Sequence, residues 1–460
     1  MGLCRDGLNT KIKGGKVTIF VEDSDPLIQL ANLIDWNFLA ELAQPDLKRT
    51  KKRLWWLGRK LKLRIHLAVM ILQMLYKWTD RLTEAKIRRT ALYQLFCGLN
   101  SLSKWRCPDH TKIEEFRNRL SPETHKNIAD YIIKLATRLG FANPSELDID
   151  STVQEANMSY PSDATVMRKL VTKAFDLLEY LQGKKEAGTL VLEIKIKKIV
   201  KKYQAYIFLA KNTAMEKRQK IFKEYHILVK SELRPFVKYV SELPATFIEN
   251  LPWNYRNTAK LIIEDAWRYL LDVGYFVRTN TIKQGKILSL GMREVVCVKK
   301  GKLGKDKEFG RVFQLGRIGG NFLIPYLCTS LRMPDKECLP QIIMEHCAVF
   351  DEQPLHSVTT DKGYYSHYNV SFVEAMTGNA DGIQRPSNVV NQADPHQKEK
   401  LYNRRAGVEP LIGHAKRFGL EKSRMKSDES TLASGYRSVT GFNLHQLMRK
   451  LSSPTKLSMA

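Results

Sequence analysis

Three carboxylates stand in an order that suits phosphoryl chemistry. Asp150 falls in a stretch where Leu147, Ile149, Ser151 and Val153 interleave with Asp148, Asp150 and Thr152, the period of a β-strand. His356 to Asp361 reads as a second short strand ending on a carboxylate, and Glu409 lies in a helical pattern near Tyr402 to Phe418. Cleaving a phosphodiester at neutral pH requires an activated water and a stabilised leaving oxygen, and two hard cations a few ångströms apart serve both needs. Magnesium takes oxygen ligands and keeps several waters, so three carboxylates suffice for two Mg²⁺ ions, with Mn²⁺ as the substitute. No His or Cys cluster of the kind zinc favours is present. Each acid taken alone is a weak signal. Asp148 shares a strand face with Asp150, and pattern does not choose between them. Asp361 precedes Lys362-Gly363, a common turn context. Glu409 precedes Pro410, and Gly407 is nearby, so the helix kinks or starts near Glu409.

A strand Asp, a later strand ending in Asp and a final helix carrying Glu is the plan of a ribonuclease-H-like site. Around Glu409 the chain resembles the DDE transposases of bacterial insertion sequences, in the insertion-sequence four and five group. Their signature is Tyr, two residues, Arg, three residues, Glu, six residues, Lys, and Tyr402, Arg405, Glu409 and Lys416 fit every gap. Arg404, Arg417, the run Asp150-Ser151-Thr152-Val153-Gln154-Glu155-Ala156-Asn157 and Thr360-Asp361-Lys362-Gly363-Tyr364 read the same way, as do Ile34-Asp35-Trp36 and Phe96-Cys97-Gly98-Leu99. The resemblance selects Asp150 over Asp148. Many relatives have Ser-Leu-His-Glu where this chain has Ser289-Leu290-Gly291-Met292, which puts a role for that His in doubt here.

The resemblance implies an enzyme that binds the terminal inverted repeats of its own element, hydrolyses a strand, and directs the freed 3′-hydroxyl into target DNA. Asp150, Asp361 and Glu409 would hold the two ions. Arg405 and Lys416 would contact phosphates, and Tyr402 would position the end or a flipped base. Double-stranded DNA is the implied partner, a homodimer the implied synaptic assembly, and the bacterial cytoplasm, beside the nucleoid, the implied location. At about 100° per residue, positions 402, 405, 409 and 416 share roughly a 60° arc of one helix. The rival readings are a ribonuclease-H-like nuclease without strand transfer and a transposase-derived repressor without catalysis.

The elements that must position these residues fall into four zones. Residues 1–140 read as an all-helical DNA-binding domain. Within it Lys86, Arg88 and Arg89, then Lys112, Arg117 and Arg119, suggest a helix-turn-helix-like reader. Lys48 to Arg64 mixes cations with Trp55 and Trp56, suited to phosphate contact and base stacking. Residues 141–460 read as an α/β catalytic domain, a mixed sheet with helices. The separation of 211 positions between the two Asp exceeds what a ribonuclease-H core needs, and a basic helical insertion at about 164–275 accounts for the excess. Its lysines Lys195, Lys197, Lys198, Lys201 and Lys202 would track a DNA backbone. Residues from about 282 to 361 read mainly as strands, and two helical patterns close the chain.

Composition agrees with a polyanionic partner. The 460 residues carry 75 Lys plus Arg against 48 Asp plus Glu, a formal charge of +27, an excess that repels itself unless neutralised. No apolar run is long enough to span a bilayer. The seven cysteines, odd in number and without a Cys-x-x-Cys pair, argue against a disulfide framework and a zinc ribbon.

Overall fold

A computed structural model describes residues 8–12, 15–19, 21–47, 62–98, 107–158, 162–183, 191–283, 285–302, 305–326, 333–350, 353–387, 389 and 395–452. The chain forms two compact units, one of residues Met1–Asn157 and Val296–Ala460, the other of Met158–Val295. Trp55, Trp56 and most of the basic stretch around them lie outside the described residues.

The first unit does not begin as expected. Two antiparallel strands, β1 (Leu8–Ile12) and β2 (Gly15–Ile19), precede the helices, so the N-terminal region is not all-helical. The cause is legible afterwards: the β-branched run Val17-Thr18-Ile19 follows a Gly-Gly pair. Then come α1 (Pro26–Leu33), α2 (Trp36–Leu47), α3 (Leu63–Tyr76), α4 (Asp80–Arg89), α5 (Ala91–Phe96), α6 (His110–Arg119) and α7 (Pro122–Arg138). Asp35 separates α1 from α2: its Oδ1 accepts from the N–H groups of Asn37 and Phe38 and starts a new helix. At α7, Ser121 caps through its Oγ and Pro122 occupies the first turn, as the sequence predicts.

The sheet follows. Strand β3 (Asn143–Glu155) leads into the second unit, and the chain returns as β4 (Val296–Lys302), β5 (Lys305–Gly319) and β6 (Phe322–Pro325). The second unit is helical: α8 (Asp163–Gln182), α9 (Ile196–Ile207), α10 (Met215–Glu242), α11 (Ala245–Asn250), α12 (Trp253–Leu261) and α13 (Trp267–Thr279), with a π-helical segment at Ile262–Ala266. It has its own core, including Leu170, Leu177, Tyr225, Phe236, Ile262 and Leu270. The inserted unit therefore runs wider than the helical pattern at 164–275 alone.

The rest of the first unit comprises α14 (Asp335–Val349), β7 (Ser357–Thr360), α15 (His367–Thr377), β8 (Gly382–Ile383), α16 (Pro395–Ala406), α17 (Val408–Ala415) and α18 (Asp428–Leu451). The six-stranded sheet runs β4-β5-β3-β7-β8, with β6 also paired to β5. β3 is antiparallel to β5 and parallel to β7, and β7 is parallel to β8, so the expected mixed α/β sheet is present. Helices cover both faces. Leu147, Ile149, Ile318 and Val358 share one core with Leu30, Ile71, Ile132 and Ile343, which joins the N-terminal helices and α14 to the sheet. Phe313, Leu315 and Leu323 meet Val408, Leu411, Ile412 and Val439 on the opposite face, which seats α17 and α18. Each such aliphatic side chain contributes about 1.5–3 kcal/mol on burial, enough to hold α17 in one orientation. No helix among the described residues is long and apolar enough to cross a membrane.

Candidate active site

The register of the sheet places the two Asp residues. β3 and β7 pair in parallel, with Asp148 opposite Thr359. That offset of 211 residues is also the spacing of Asp150 and Asp361. Each acid therefore lies two residues beyond the last paired position of its strand. Both stand at the carboxyl end of the parallel pair, one at the surface of β3 and the other immediately after β7. α17 packs over β3 and carries Glu409 on its exposed side.

Electrostatics couples these groups. Asp150 is raised to about 6, chiefly by burial; the Arg405 guanidinium and the Ser151 N–H oppose the rise, and the negative charges of Asp361 and Glu409 add to it. Arg405 Nη2 lies 3.5 Å from Asp150 Oδ2, and its buried Nε has no hydrogen-bond acceptor. Asp361 Oδ1 accepts from the Gly363 N–H at 2.9 Å, shaping the 3₁₀ turn Lys362–Tyr364.

Asp148 is different in kind. Its Oδ1 accepts from Thr359 Oγ1 and from Arg404 Nε, both at 2.7 Å, and Arg317 Nη1 is 3.5 Å from its Oδ2. It is a buried structural acid, 2% exposed. The two acids thus differ in their partners: Asp148 is held by Thr359, Arg404 and Arg317, whereas Asp150 feels the charges of Asp361 and Glu409. Arg404, expected among the DNA contacts, is bound within the chain to Asp148 and to Ser357 Oγ at 2.6 Å. Arg117, another expected contact, is paired with Asp80 and Gln73. Lys86, Arg88 and Arg89 are exposed along α4, Arg88 pairing with Glu84.

Tyr402 and Arg405 lie on α16, Glu409 on α17, and Lys416 and Arg417 on the π-helical segment Lys416–Leu420. The single helix face assumed from spacing is thus broken at Gly407. A Cβ there would run into Arg317 Nη1, which donates to the Arg404 carbonyl at 2.7 Å. Glycine lets that guanidinium close the end of α16. Pro410 costs little because it sits in the first turn of α17, where an N–H has no helical partner. Tyr402 is half-buried near Arg385, whose guanidinium grips Asp381 through two 2.7 Å bonds.

Sequence reasoning missed one acid. Asp335 begins α14 and reaches the same edge from the other sheet face. Its Oδ1 accepts from Gln314 Nε2 at 2.8 Å, and burial followed by the charge of Asp361 raises it above the usual carboxylate range. Nothing in local pattern marks it, since an acid in a helix's first turn is commonplace.

The donor chemistry suits hard divalent ions: the groups around Asp150 are carboxylates, and their mutual repulsion is what a cation relieves. Among the described residues no three acidic, His or Cys side chains close into a single metal cage.

Comparison with known families adds two partial matches. Residues 16–119 match a transposase domain (DUF772), and residues 319–434 match the transposase DDE domain. Two segments, one toward each end, are thus similar to transposase domains. The DDE match contains Asp361, Glu409 and the whole Tyr402–Lys416 signature, and it supports a nuclease or transposase activity. Asp150 lies between the two matched segments, so its place beside Asp361 rests on the sheet register. No curated protein and no solved structure matches the chain.

Proposed function

We propose that the protein is a DNA transposase of the insertion-sequence four and five group that cleaves its element's ends and joins them to target DNA. The observation that carries this is the register of the parallel strands β3 and β7, which pair as far as Asp148 and Thr359 and so bring Asp150 and Asp361, each two residues further on, to the same end of the sheet, where the charges of Asp361 and Glu409 both act on Asp150. The strand order β6-β5-β3-β7-β8, antiparallel on one side of β3 and parallel on the other, supports a ribonuclease-H-like core.

In this reading Asp150, Asp361 and Glu409 hold two Mg²⁺ ions, for which Mn²⁺ can substitute. When bound, the ions supply charge neutralisation at the scissile phosphate and lower the pKa of an attacking water. The chain's own groups do the rest. Arg405 keeps a buried, unused donor next to the acids, suited to a phosphate oxygen. Lys416 and Arg417 extend the cationic surface beyond Glu409, and Tyr402 positions the DNA end. Lys86, Arg88 and Arg89 present an exposed face for the inverted repeat, in a region ending near residue 140. The inserted unit offers Lys197, Lys198 and Lys201, all exposed, to the DNA backbone. Two ends held together require at least a homodimer. The cell compartment is the one that holds bacterial DNA.

The test is a supercoiled plasmid bearing the element's ends, incubated with the protein and Mg²⁺ or a chelator. Mg²⁺-dependent nicks and joined products are expected. Asp361→Asn is expected to bind ends as the parent does and to lose cleavage by at least about a thousandfold, the scale on which charge stabilisation of this kind operates. Retained cleavage would overturn the site. Binding without any Mg²⁺-dependent cut would leave a repressor, and cuts without joining a nuclease.

A further inference from the structure

Backbone pairing between β3 and β7 stops at Asp148 and Thr359, two residues short of Asp150 and Asp361. Beyond that point the ladder no longer sets the distance between the two acids, and their like charges push them apart. A side-chain bridge crosses the gap. Ser151, the neighbour of Asp150, donates to the Asp335 carboxylate. Gln314, opposite Ser151 on β5, donates through Nε2 to Asp335 Oδ1 at 2.8 Å. Tyr364, which ends the 3₁₀ turn begun after Asp361, donates its hydroxyl to Gln314 Oε1.

The bridge has one hydrogen-bond polarity. A carboxylate only accepts, so the Gln314 amide must present its NH₂ to Asp335, which leaves its carbonyl oxygen for the Tyr364 hydroxyl. Gln314 is 1% exposed and Tyr364 is fully buried. A second link closes the loop, because Asn369 Nδ2 donates to the carbonyls of both Tyr364 and Lys336, the residue after Asp335. Gly363 leaves room between the acids: a Cβ there would stand 3.0 Å from Asp361 Oδ1 and 3.6 Å from Asp335 Oδ2.

We propose that Asp335 is a positioning residue for the acid pair, acting through Ser151 and Gln314–Tyr364 to set the separation of Asp150 and Asp361 where the backbone ladder no longer does. This rests on reading Asp150 and Asp361 as metal-holding. Asp335 orients the groups that carry the ligands and is not itself counted among them.

The test uses the full chain and Mn²⁺ alone, with binding followed by calorimetry, folding by thermal denaturation, and end binding measured in chelator. Asp335→Asn and Gln314→Leu are expected to weaken Mn²⁺ binding about 10- to 100-fold, with end binding unchanged. Tyr364→Phe, which removes only a hydroxyl, weakens it severalfold and guards against loss of fold in the others. The double variant Asp335→Asn with Gln314→Glu conserves charge and reverses the bridge's polarity. The amide introduced on α14 then donates, and the carboxylate introduced on β5 accepts from both sides. This variant is expected to recover most of the affinity. If Asp150→Asn abolishes Mn²⁺ binding while Asp335→Asn and Tyr364→Phe leave it intact, or if the double variant is no better than Asp335→Asn, the positioning role is overturned. If Asp150→Asn and Asp361→Asn bind Mn²⁺ as the parent does, the metal-site reading itself falls, and the positioning role with it.

Discussion

Arg404 and Arg405 are adjacent in sequence and reach different acids on one strand. Both are largely buried; Arg404 bonds Asp148 at 2.7 Å, whereas Arg405 stands 3.5 Å from Asp150. Removing Arg404 leaves Asp148 buried with only Thr359 and the more distant Arg317 to compensate it. Arg404→Ala is therefore expected to destabilise the fold by about 3 kcal/mol, the lower end for breaking a buried pair. Chemical denaturation measures this, and an unchanged midpoint would refute the structural role. Asp150 makes a second prediction, through pH. Its folded-state value of about 6 lies above the ordinary carboxylate value of about 3.9. The folded metal-free protein thus holds a proton that the unfolded chain has released. The penalty for ionised Asp150 is full above pH 6 and fades as pH falls toward 4, so this residue makes the metal-free protein more stable at about pH 5 than at about pH 7. Asp150→Asn should flatten that part of the profile, and Mg²⁺ should stabilise more at the higher pH than at the lower. An identical pH slope in Asp150→Asn would contradict this origin.

The residues of the spacing signature are divided among α16, α17 and the π-helical segment Lys416–Leu420. The break at Gly407 is filled by Arg317, which ties the end of α16 to β5. Gly407→Ala puts a methyl group into that guanidinium and should cost about 1–3 kcal/mol of stability. Because the displaced contact lies between Arg405 and Glu409, cleavage should fall more than end binding does. Equal losses of both would point to general unfolding. The spacing Tyr402, Arg405, Glu409 and Lys416 was legible in sequence. The break was half-legible, because glycine and proline signal a weak helix without saying what occupies the gap. Arg317 comes from a strand 87 residues earlier, and no local pattern reports such a partner. The hairpin of β1 and β2 was missed for a different reason: short β-branched runs carry little periodicity.

The two units have separate cores, which makes the inserted one testable alone. Residues 158–295 are expected to fold as a helical domain, by circular dichroism and a cooperative melt, and to bind duplex DNA without sequence preference. Replacing Lys197, Lys198 and Lys201 with Gln should reduce the slope of log affinity against log salt by up to about 3, near 0.9 for each lost phosphate contact. An unchanged slope would remove this face from the DNA path.

Charge excess, the order of the acids and the spacing around Glu409 were determined by sequence alone, because each depends on residue type and local period. The class of chemistry follows from them. Which carboxylates meet was decided by tertiary structure. Asp148 and Asp150 are equivalent in pattern, and only the partners on β7 and α16 bury one and leave the other facing Asp361. Asp335 enters from a helix on the opposite sheet face, joined to the acids through Gln314 and Tyr364. Such contacts depend on strand register and on side chains brought together from distant segments, and no local periodicity encodes them.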